Sequence, residues 1–496
     1  MDRVSAWLLG KLDDLRPGDG KPNLDLATEL GRVVEVLHNR SGMVFGMVVG
    51  AIDRDVVLGR GAKVITEWLP YLPLTHLNYY ADVARHTSLP IDTAPFLANA
   101  QRIDAEITAA AAAKEAERLA AFAEKRAAAA SKEPRNAALE AALGDGEAAE
   151  PFSVYADWLE AHGAIRGELV HRMLAAEPSA NAGADAEIDA FIAEHADELI
   201  GMVPSDNNGE ELADDAYTLV WRRGFIDTLD LSSTDGITAA LEHFLEHPSG
   251  RRVRVIAIGM NGEPDPDEPH GEVVSSIIRE KPQHLVALHL GAFDPDRCDI
   301  SSYAVGDISA IWRGLPTLRK VTLTGGSFEL GTIEAPQLEV LELRTGGLTA
   351  ANIQSIASAD WPNLRELDVY FGDHNYGGDT ELTDVVALLS NEYPVLVHLG
   401  LKNCPFVDDA VSLLVEAPVA AQLESLDLSL GCLGDAGVDE LVANKSRLVN
   451  LKRVNVSVSY LSPVGLQALS RLGVEIIAEH MNDPAEPDDR FVLVSE

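Results

Sequence analysis

Leu423-Glu424-Ser425-Leu426-Asp427-Leu428 decides how this chain is to be read. Three leucines stand at i, i+3 and i+5, and a single polar residue separates the last two. Alternate side chains of an extended strand share a face, so Leu426 and Leu428 turn inward while Asp427 turns out. Working outward from this hexapeptide, the same pattern, with Ile or Val allowed for Leu, starts at Ile226, Val253, Leu285, Leu318, Leu338, Leu364, Leu396, Leu423 and Leu451. The successive steps are 27, 32, 33, 20, 26, 32, 27 and 28 residues. A strand motif recurring at such a period marks one unit of a stack. No unit buries its apolar face alone, and neighbours bury it for one another.

The pattern is similar to that of leucine-rich repeats. It predicts an α/β solenoid over 225–480, with a curved parallel sheet and helices on the convex side. Leu433-Gly434-Asp435-Ala436-Gly437-Val438-Asp439-Glu440-Leu441 resembles the helical return of ribonuclease-inhibitor-like repeats, and the stretches after Leu382 and Leu461 echo it. The 20-residue step from Leu318 to Leu338 leaves little room for a helix, so an extended return is expected there. Asn261 and Cys404 stand just after their strands, where such repeats hydrogen-bond the turning backbone. Val474, Ile476 and Ile477 read as a degenerate tenth strand closing the array. The remainder, 481–496, is an acidic tail in which Phe491-Val492-Leu493-Val494 offers an edge strand.

The chain has 496 residues, too many for one compact core, and is 46% hydrophobic, enough to bury several. Its net charge of −40, from 79 acidic and 39 basic residues, suits neither nucleic acid nor anionic lipid, since cationic side chains bind both. Three scattered cysteines, Cys298, Cys404 and Cys432, form neither a disulfide framework nor a zinc site, and they suit a reducing compartment. The apolar stretch Ala6–Gly10 is too short for a signal peptide, and the uncharged run from Ser41 to Ile52 is too short to span a bilayer. The expected location is the cytoplasm.

Ahead of the repeats the sequence reads as all-α. Residues 1–100 are helical in pattern and carry no chemical motif. Residues 101–135 are rich in Ala, Glu, Lys and Arg, good helix formers with little to bury, and read as a spacer. In 136–224, Phe152, Tyr155, Ala156 and Leu159 share one helix face, and Gly163 stops that helix. A second helix from Arg166 presents Leu169, Met173 and Ala176. Val154-Tyr155-Ala156-Asp157-Trp158-Leu159-Glu160, Gly163 and Arg166-Gly167-Glu168-Leu169 together resemble the bacterial repeat-companion domain. That short module occurs often ahead of leucine-rich repeats, mainly in myxobacteria and planctomycetes. The resemblance implies a helical hairpin and no activity. The hairpin is expected to cap the first repeat through Tyr155 or Trp158 against Phe225, and Asp157 to pair with Arg166 across its turn. Trp221-Arg222-Arg223-Gly224-Phe225 reads as the lead into the first strand.

Catalytic and cofactor motifs are missing from this reading. Pro264-Asp265-Pro266-Asp267-Glu268-Pro269-His270 lacks the EF-hand order and reads as a solvated loop rather than a calcium site. His374, near Asp373 and Asp379, falls in a Gly-rich insertion. Cys298 lacks a base at a recognisable spacing, so no catalytic residue, metal site or cofactor is assigned. The outward strand positions carry more. Arg344, Tyr370 and Lys402 occupy the same outward place in successive strands, and Glu342, Asp368 and Asp427 occupy the place two residues earlier. Arg and Tyr are favoured interface anchors. The reading is a non-catalytic scaffold holding a protein partner on these six residues. An enzyme or effector acting through its N-terminal region, with the repeats as selector, and a purely structural spacer are the alternatives.

Overall fold

The computed structural model describes residues 133–177, 182–203, 217–232, 236–259, 271–293, 299–483 and 489–494, with Ala94 and Ala98. The chain divides into two compact units, Met1–Ala130 and Ser131–Glu496, and the repeats lie in the second. The N-terminal helical region, most of the spacer, Asn261, Cys298 and the 264–270 loop lie outside the described residues.

Each copy of the apolar pattern becomes one short strand. The strands are β1 Thr218–Arg222, β2 Phe225–Leu231, β3 Val255–Ile258, β4 Ala287–Leu290, β5 Ala304–Asp307, β6 Lys320–Thr324, β7 Ser327–Glu329, β8 Val340–Arg344, β9 Glu366–Tyr370, β10 His398–Lys402, β11 Ser425–Asp427, β12 Arg453–Asn455 and β13 Glu475–Ile477. All but β5 and β7 join one sheet in the order β1-β2-β3-β4-β6-β8-β9-β10-β11-β12-β13. From β2 onward every pairing in it is parallel. Register aligns the central inward residue of each strand with the next: Leu229, Ile256, Leu288, Val321, Leu341, Leu367, Leu399, Leu426, Val454 and Ile476 form one unbroken column. All except the terminal Ile476 are buried. The tenth strand is therefore present as β13.

The returns are mostly helical and pack on the inward side of the sheet: α6 Ile237–Glu246, α7 Gly271–Glu280, α9 Ala350–Ala357, α10 Leu382–Ser390, α11 Val407–Glu416, α12 Asp435–Ala443 and α13 Pro463–Leu469. Asp408 of α11 accepts the Gly434 and Gly437 N–H groups of the next repeat at 2.8 and 3.2 Å. Asp435 of α12 likewise accepts the N–H of Ser462 at 2.9 Å. These carboxylates satisfy orphan amides at the start of the neighbouring helix, so each repeat completes the next. Between β4 and β8 the pattern changes. There α8 is only Ile311–Gly314, and β5 pairs with β7 as a separate small sheet. The extended return in the 20-residue step is β7. The strand β5 before it corrects the expectation of a helix in that return, since Ala304-Val305-Gly306-Asp307 finds a β partner across the repeat boundary. Asn352 clamps the pair of repeats, donating to Phe328 O at 2.9 Å and accepting from Leu330 N at 3.0 Å.

Trp221–Phe225 leads into β2 as the turn of an antiparallel hairpin with β1. Arg223 and Gly224 form its two-residue turn with φ of 49° and 80°, the left-handed backbone that two-residue hairpins need. A Cβ on Gly224 would also lie 2.3 Å from Val170 Cγ2. Arg223 is held in this backbone by its guanidinium, which meets Glu177 at 2.5 and 2.9 Å and Gly146 O at 2.7 Å.

The helices α1 Ala137–Ala142, α2 Glu150–Ala161, α3 Arg166–Ala176, α4 Ala182–Glu194 and α5 Ala196–Leu199 precede the hairpin. Phe152, Tyr155, Ala156 and Leu159 of α2 are buried together with Phe225. Tyr155 stacks on Phe225 with ring centroids 6.4 Å apart. Arg166 does not pair with Asp157. It is fully buried, and it donates to Glu133 Oε2 at 2.8 Å, Gly224 O at 2.7 Å and Ser249 Oγ at 2.9 Å. Asp157 lies on the solvent side of α2, 3.5 Å from His171. A buried guanidinium needs partners for its donors. Glu133, the hairpin turn and Ser249 serve Nε and Nη1, while Nη2 is buried without a hydrogen-bond partner among the described residues.

Leu399→Ala or Leu426→Ala empties one layer of the apolar column and is expected to cost about 2–5 kcal/mol in chemical denaturation. Arg166→Ala strips the largely buried Glu133 of its closest guanidinium and is expected to cost about 3–5 kcal/mol. Asp157→Ala should leave the unfolding midpoint nearly unchanged, and a large loss there would restore the cross-turn pair.

Candidate functional site

Because the inward residues are fixed, the residues between them are presented together on the opposite face of the sheet. Its central column runs Asp230, Ala257, His289, Thr322, Glu342, Asp368, Gly400, Asp427, Asn455 and Ile477, each in register with the next. Glu366, His398 and Ser425 belong to the column before it. In the column after it, Thr324 lies beside Arg344 and Tyr370 beside Lys402.

The six residues singled out in the sequence meet in the middle of this face. Lys402 Nζ lies over the Tyr370 ring, 4.9 Å from its centroid. The same ammonium is 3.8 Å from Asp368 Oδ1 and 3.5 Å from Asp427 Oδ2. Arg344 Nε donates to Glu342 Oε1 at 2.7 Å, within its own strand. Although both point outward, Tyr370 and Asp427 are each only 9% exposed. Neighbouring strands are close enough for the Lys402 chain to cover the ring.

Sequence reasoning missed three participants. His398 Nε2 lies 3.2 Å from Asp368 Oδ1, Asn455 Nδ2 donates to Asp427 Oδ2 at 3.0 Å, and His289 Nε2 lies 3.2 Å from Thr324 Oγ1. Their outward parity was readable: His398 stands four residues before Lys402 on its strand, Asn455 is registered beside Asp427, and His289 falls in the same column as Glu342, two strands away. Gly400 matters by what it lacks. A Cβ there would fall 1.9 Å from Asp368 Oδ1, so the glycine is the space that lets Asp368 lean across β10 toward His398 and Lys402.

These contacts set the charges. Burial opposes ionisation of Asp368, but the His398 hydrogen bond and Lys402 outweigh it and hold the carboxyl below its ordinary 3.8. Burial also disfavours protonated His398, yet Asp368 outweighs it and raises the imidazole above 6.5. Lys402 is raised in the same way, with burial overcome by Asp368 and Asp427. His289 is pushed down to about 4, by burial and then by Arg344, and so stays neutral at physiological pH. The result is a nearly balanced, hydrogen-bonded patch that presents donors and acceptors at fixed places, with His398 able to change charge near neutrality.

Other candidates resolve differently. Cys404 is fully buried and its thiol is pushed far up by that burial, while Cys432 is raised to about 11 by the same cause. Both are structural thiols. His374 is exposed beside Asp373 at 3.2 Å, and Asp379 is engaged elsewhere, accepting from Ala350 N at 2.5 Å. Among the described residues no three His, Cys, Asp or Glu side chains converge as for a metal ion, and no helix is long and apolar enough to cross a membrane.

No family model matches the chain. Over 159 residues it is 28% identical to ribonuclease inhibitor of Sus scrofa, a stretch that is 30% of this chain and 34% of the inhibitor. A solved protein of Bacteroides fragilis shares 26% identity at a TM-score of 0.45, covering 50% of this chain and 69% of that one. An internalin of Listeria monocytogenes shares 14% at a TM-score of 0.26, covering 52% and 67%. The solenoid is a leucine-rich repeat array. Arrays of this type commonly mediate protein–protein contacts.

The charge coupling is open to measurement by histidine NMR. His398 should titrate above 6.5 in the native chain and lower in Asp368→Asn, where Asp427 and Glu366 remain to oppose burial but its nearest carboxylate is gone. The stability supplied by protonated His398 is present below 6.5 and lost as pH rises through its raised pKa. That supplied by ionised Asp368 is present above 3.8 and lost as pH falls through its lowered one. An unchanged His398 midpoint in the variant would break the proposed pairing.

Proposed function

We propose that this chain is a non-catalytic scaffold that holds a protein partner on the outward face of its repeats, at Arg344, Tyr370, Lys402, Glu342, Asp368 and Asp427. The observation that carries the reading is the registered cluster itself: cations, an aromatic ring and carboxylates from four successive strands gathered on one continuous sheet face. In this reading the helical module over 136–224, which resembles the repeat-companion domain, closes the open side of the first repeat through Tyr155 and Phe225.

The parts play different roles. Lys402 is committed to Asp368 and Asp427 and holds the cluster in shape. Arg344 is the more exposed cation, shared with one carboxylate only, so it is the group that meets an acidic side chain of the partner. Asp427 is taken up by the Ser429 N–H, Asn455 and Lys402 and supports the cluster from within, so Glu342, bound to Arg344 through one oxygen, is the carboxylate that meets the partner's donors. The chain's charge of −40 would steer a partner with a basic surface toward this face, and Arg344 would fix its orientation.

The test begins with a pull-down from native cells, with and without 225–480, to recover the partner. Arg344→Glu should then weaken its binding by about 2 kcal/mol or more, as loss of an interface anchor does, with no change in melting temperature. Tyr370→Phe should cost less than loss of Arg344, because it keeps the ring under Lys402 and removes only the hydroxyl's hydrogen bond to that ammonium. Equal binding by Arg344→Glu would move the contact to another surface, and recovery of the same proteins without the repeats would make them a spacer.

A further inference from the structure

The sheet face described above ends at a row of turns, and those turns repeat. Asn403, Leu430 and Val458 each follow a strand, and their φ values of 51°, 69° and 56° put all three in the left-handed region. Asn tolerates that backbone, but branched Leu and Val rarely enter it. Two successive repeats therefore hold an unfavourable conformation at the same place. The consequence is geometric: main-chain and side-chain polar groups of the last repeats are turned out along one rim.

That rim already holds a peptide. Residues 489–494 cross it, from Tyr460 in the last repeats past Leu430 to Asn403 at the end of β10. Tyr460 OH donates to Phe491 O at 3.0 Å and accepts from Phe491 N at 3.2 Å. Leu430 O accepts from Leu493 N at 2.9 Å. Fully buried Asn403 brackets Val494, its Oδ1 accepting the N–H at 2.9 Å and its Nδ2 donating to the carbonyl. These contacts are to backbone and would accept any side chain. Two others are to side chains. Arg490 Nη1 donates to Asp408 Oδ2 at 2.9 Å and Cys432 O at 3.0 Å, in a place where a Cβ on Gly434 would stand 2.2 Å from that nitrogen. Val492 is 5% exposed, while Phe491 and Leu493 on either side are 69% and 53% exposed.

We propose that this rim is a binding groove for an extended Arg-x-Val segment of a partner protein, and that residues 489–494 occupy it as a competitor in cis. The built features are a carboxylate beside a glycine-cleared place for the arginine, a position that buries the small branched residue, and an amide and a hydroxyl that grip the backbone. A segment serving only to finish the fold would be expected to bury its large apolar side chains, and this one leaves both outside. Attachment in cis gives the tail a high effective concentration. A partner segment of the same chemistry therefore gains the groove only with flanking contacts of its own, and the exposed Phe491 and Leu493 positions are where it can differ. The inference is independent of the cluster at Arg344, none of whose residues touches the tail through these contacts.

The test uses the full chain with the tail released by Arg490→Ala and Val492→Asp together. The probe is a fluorescein-labelled peptide of residues 488–494, read by fluorescence polarisation. The released variant should bind the probe at least tenfold tighter than the unmodified chain. Replacing the probe's arginine by alanine, or adding Asn403→Ala to the protein, should weaken binding at least tenfold. A folded released variant that ignores the probe, or takes the alanine probe equally well, overturns the proposal. So does a released variant that loses its circular dichroism signal, because the tail is then integral to the fold. Dimerisation of the unmodified chain that the double substitution abolishes would make the occupant a second copy and overturn the partner assignment.

Discussion

The whole arrangement depends on one buried column, from Leu229 through Leu399 and Leu426 to Ile476. Neighbouring strands sit about 4.8 Å apart, so each of these side chains finds its apolar partners mainly in the repeats before and after. No layer is stable without its neighbours, and the two ends must be finished by something else. At one end β1 pairs antiparallel with β2, and Phe225 goes under the aromatic residues of α2. At the other, β13 carries a column residue that is only partly buried. The opposite face has no freedom of its own: once Leu367 and Leu399 are inside, Asp368 and Gly400 must stand beside each other outside.

What could be read from sequence follows from how local its cause is. Alternation is local, so the strands of the long sheet from β2 to β13, the registered outward columns and the extended return in the shortest step were all readable. The strand β1 was not, because Thr218–Arg222 lacks the leucine spacing and is a strand only by pairing with β2. Nor was β5, whose four residues carry no alternation that outweighs their glycine. The role of Arg166 was unreadable for another reason: its partners lie 33, 58 and 83 residues away in sequence. At the site, register disclosed who stands beside whom but not how deep. Tyr370 is buried because a lysine one strand away lies across it, and Asp368 leans over because Gly400 has no side chain to stop it. Depth is a property of the neighbour.

Charge tells a similar story. The chain has about twice as many carboxylates as cations, and several of its cations are already used inside. Arg166 holds Glu133, Arg223 holds Glu177, Lys402 holds two aspartates and Arg490 holds Asp408. The acidic excess therefore falls largely on the surface, where salt screens it. The internal pairs, in drier surroundings, keep their geometry over a wider range of ionic strength.

The register of the sheet is unbroken, although the repeats that feed it differ in length by more than half, from 20 to 33 residues. The difference is absorbed entirely in the returns, which are helices in most repeats and the β5–β7 pair in the middle. The two sides of the array thus answer to different rules. The strand side admits no insertion, since a single added residue would turn a leucine outward and a charge inward. The return side is free to grow, shrink or change its secondary structure from one repeat to the next. A lineage of such chains would be expected to keep its strands to the residue and to record its history of duplication and loss on the other face.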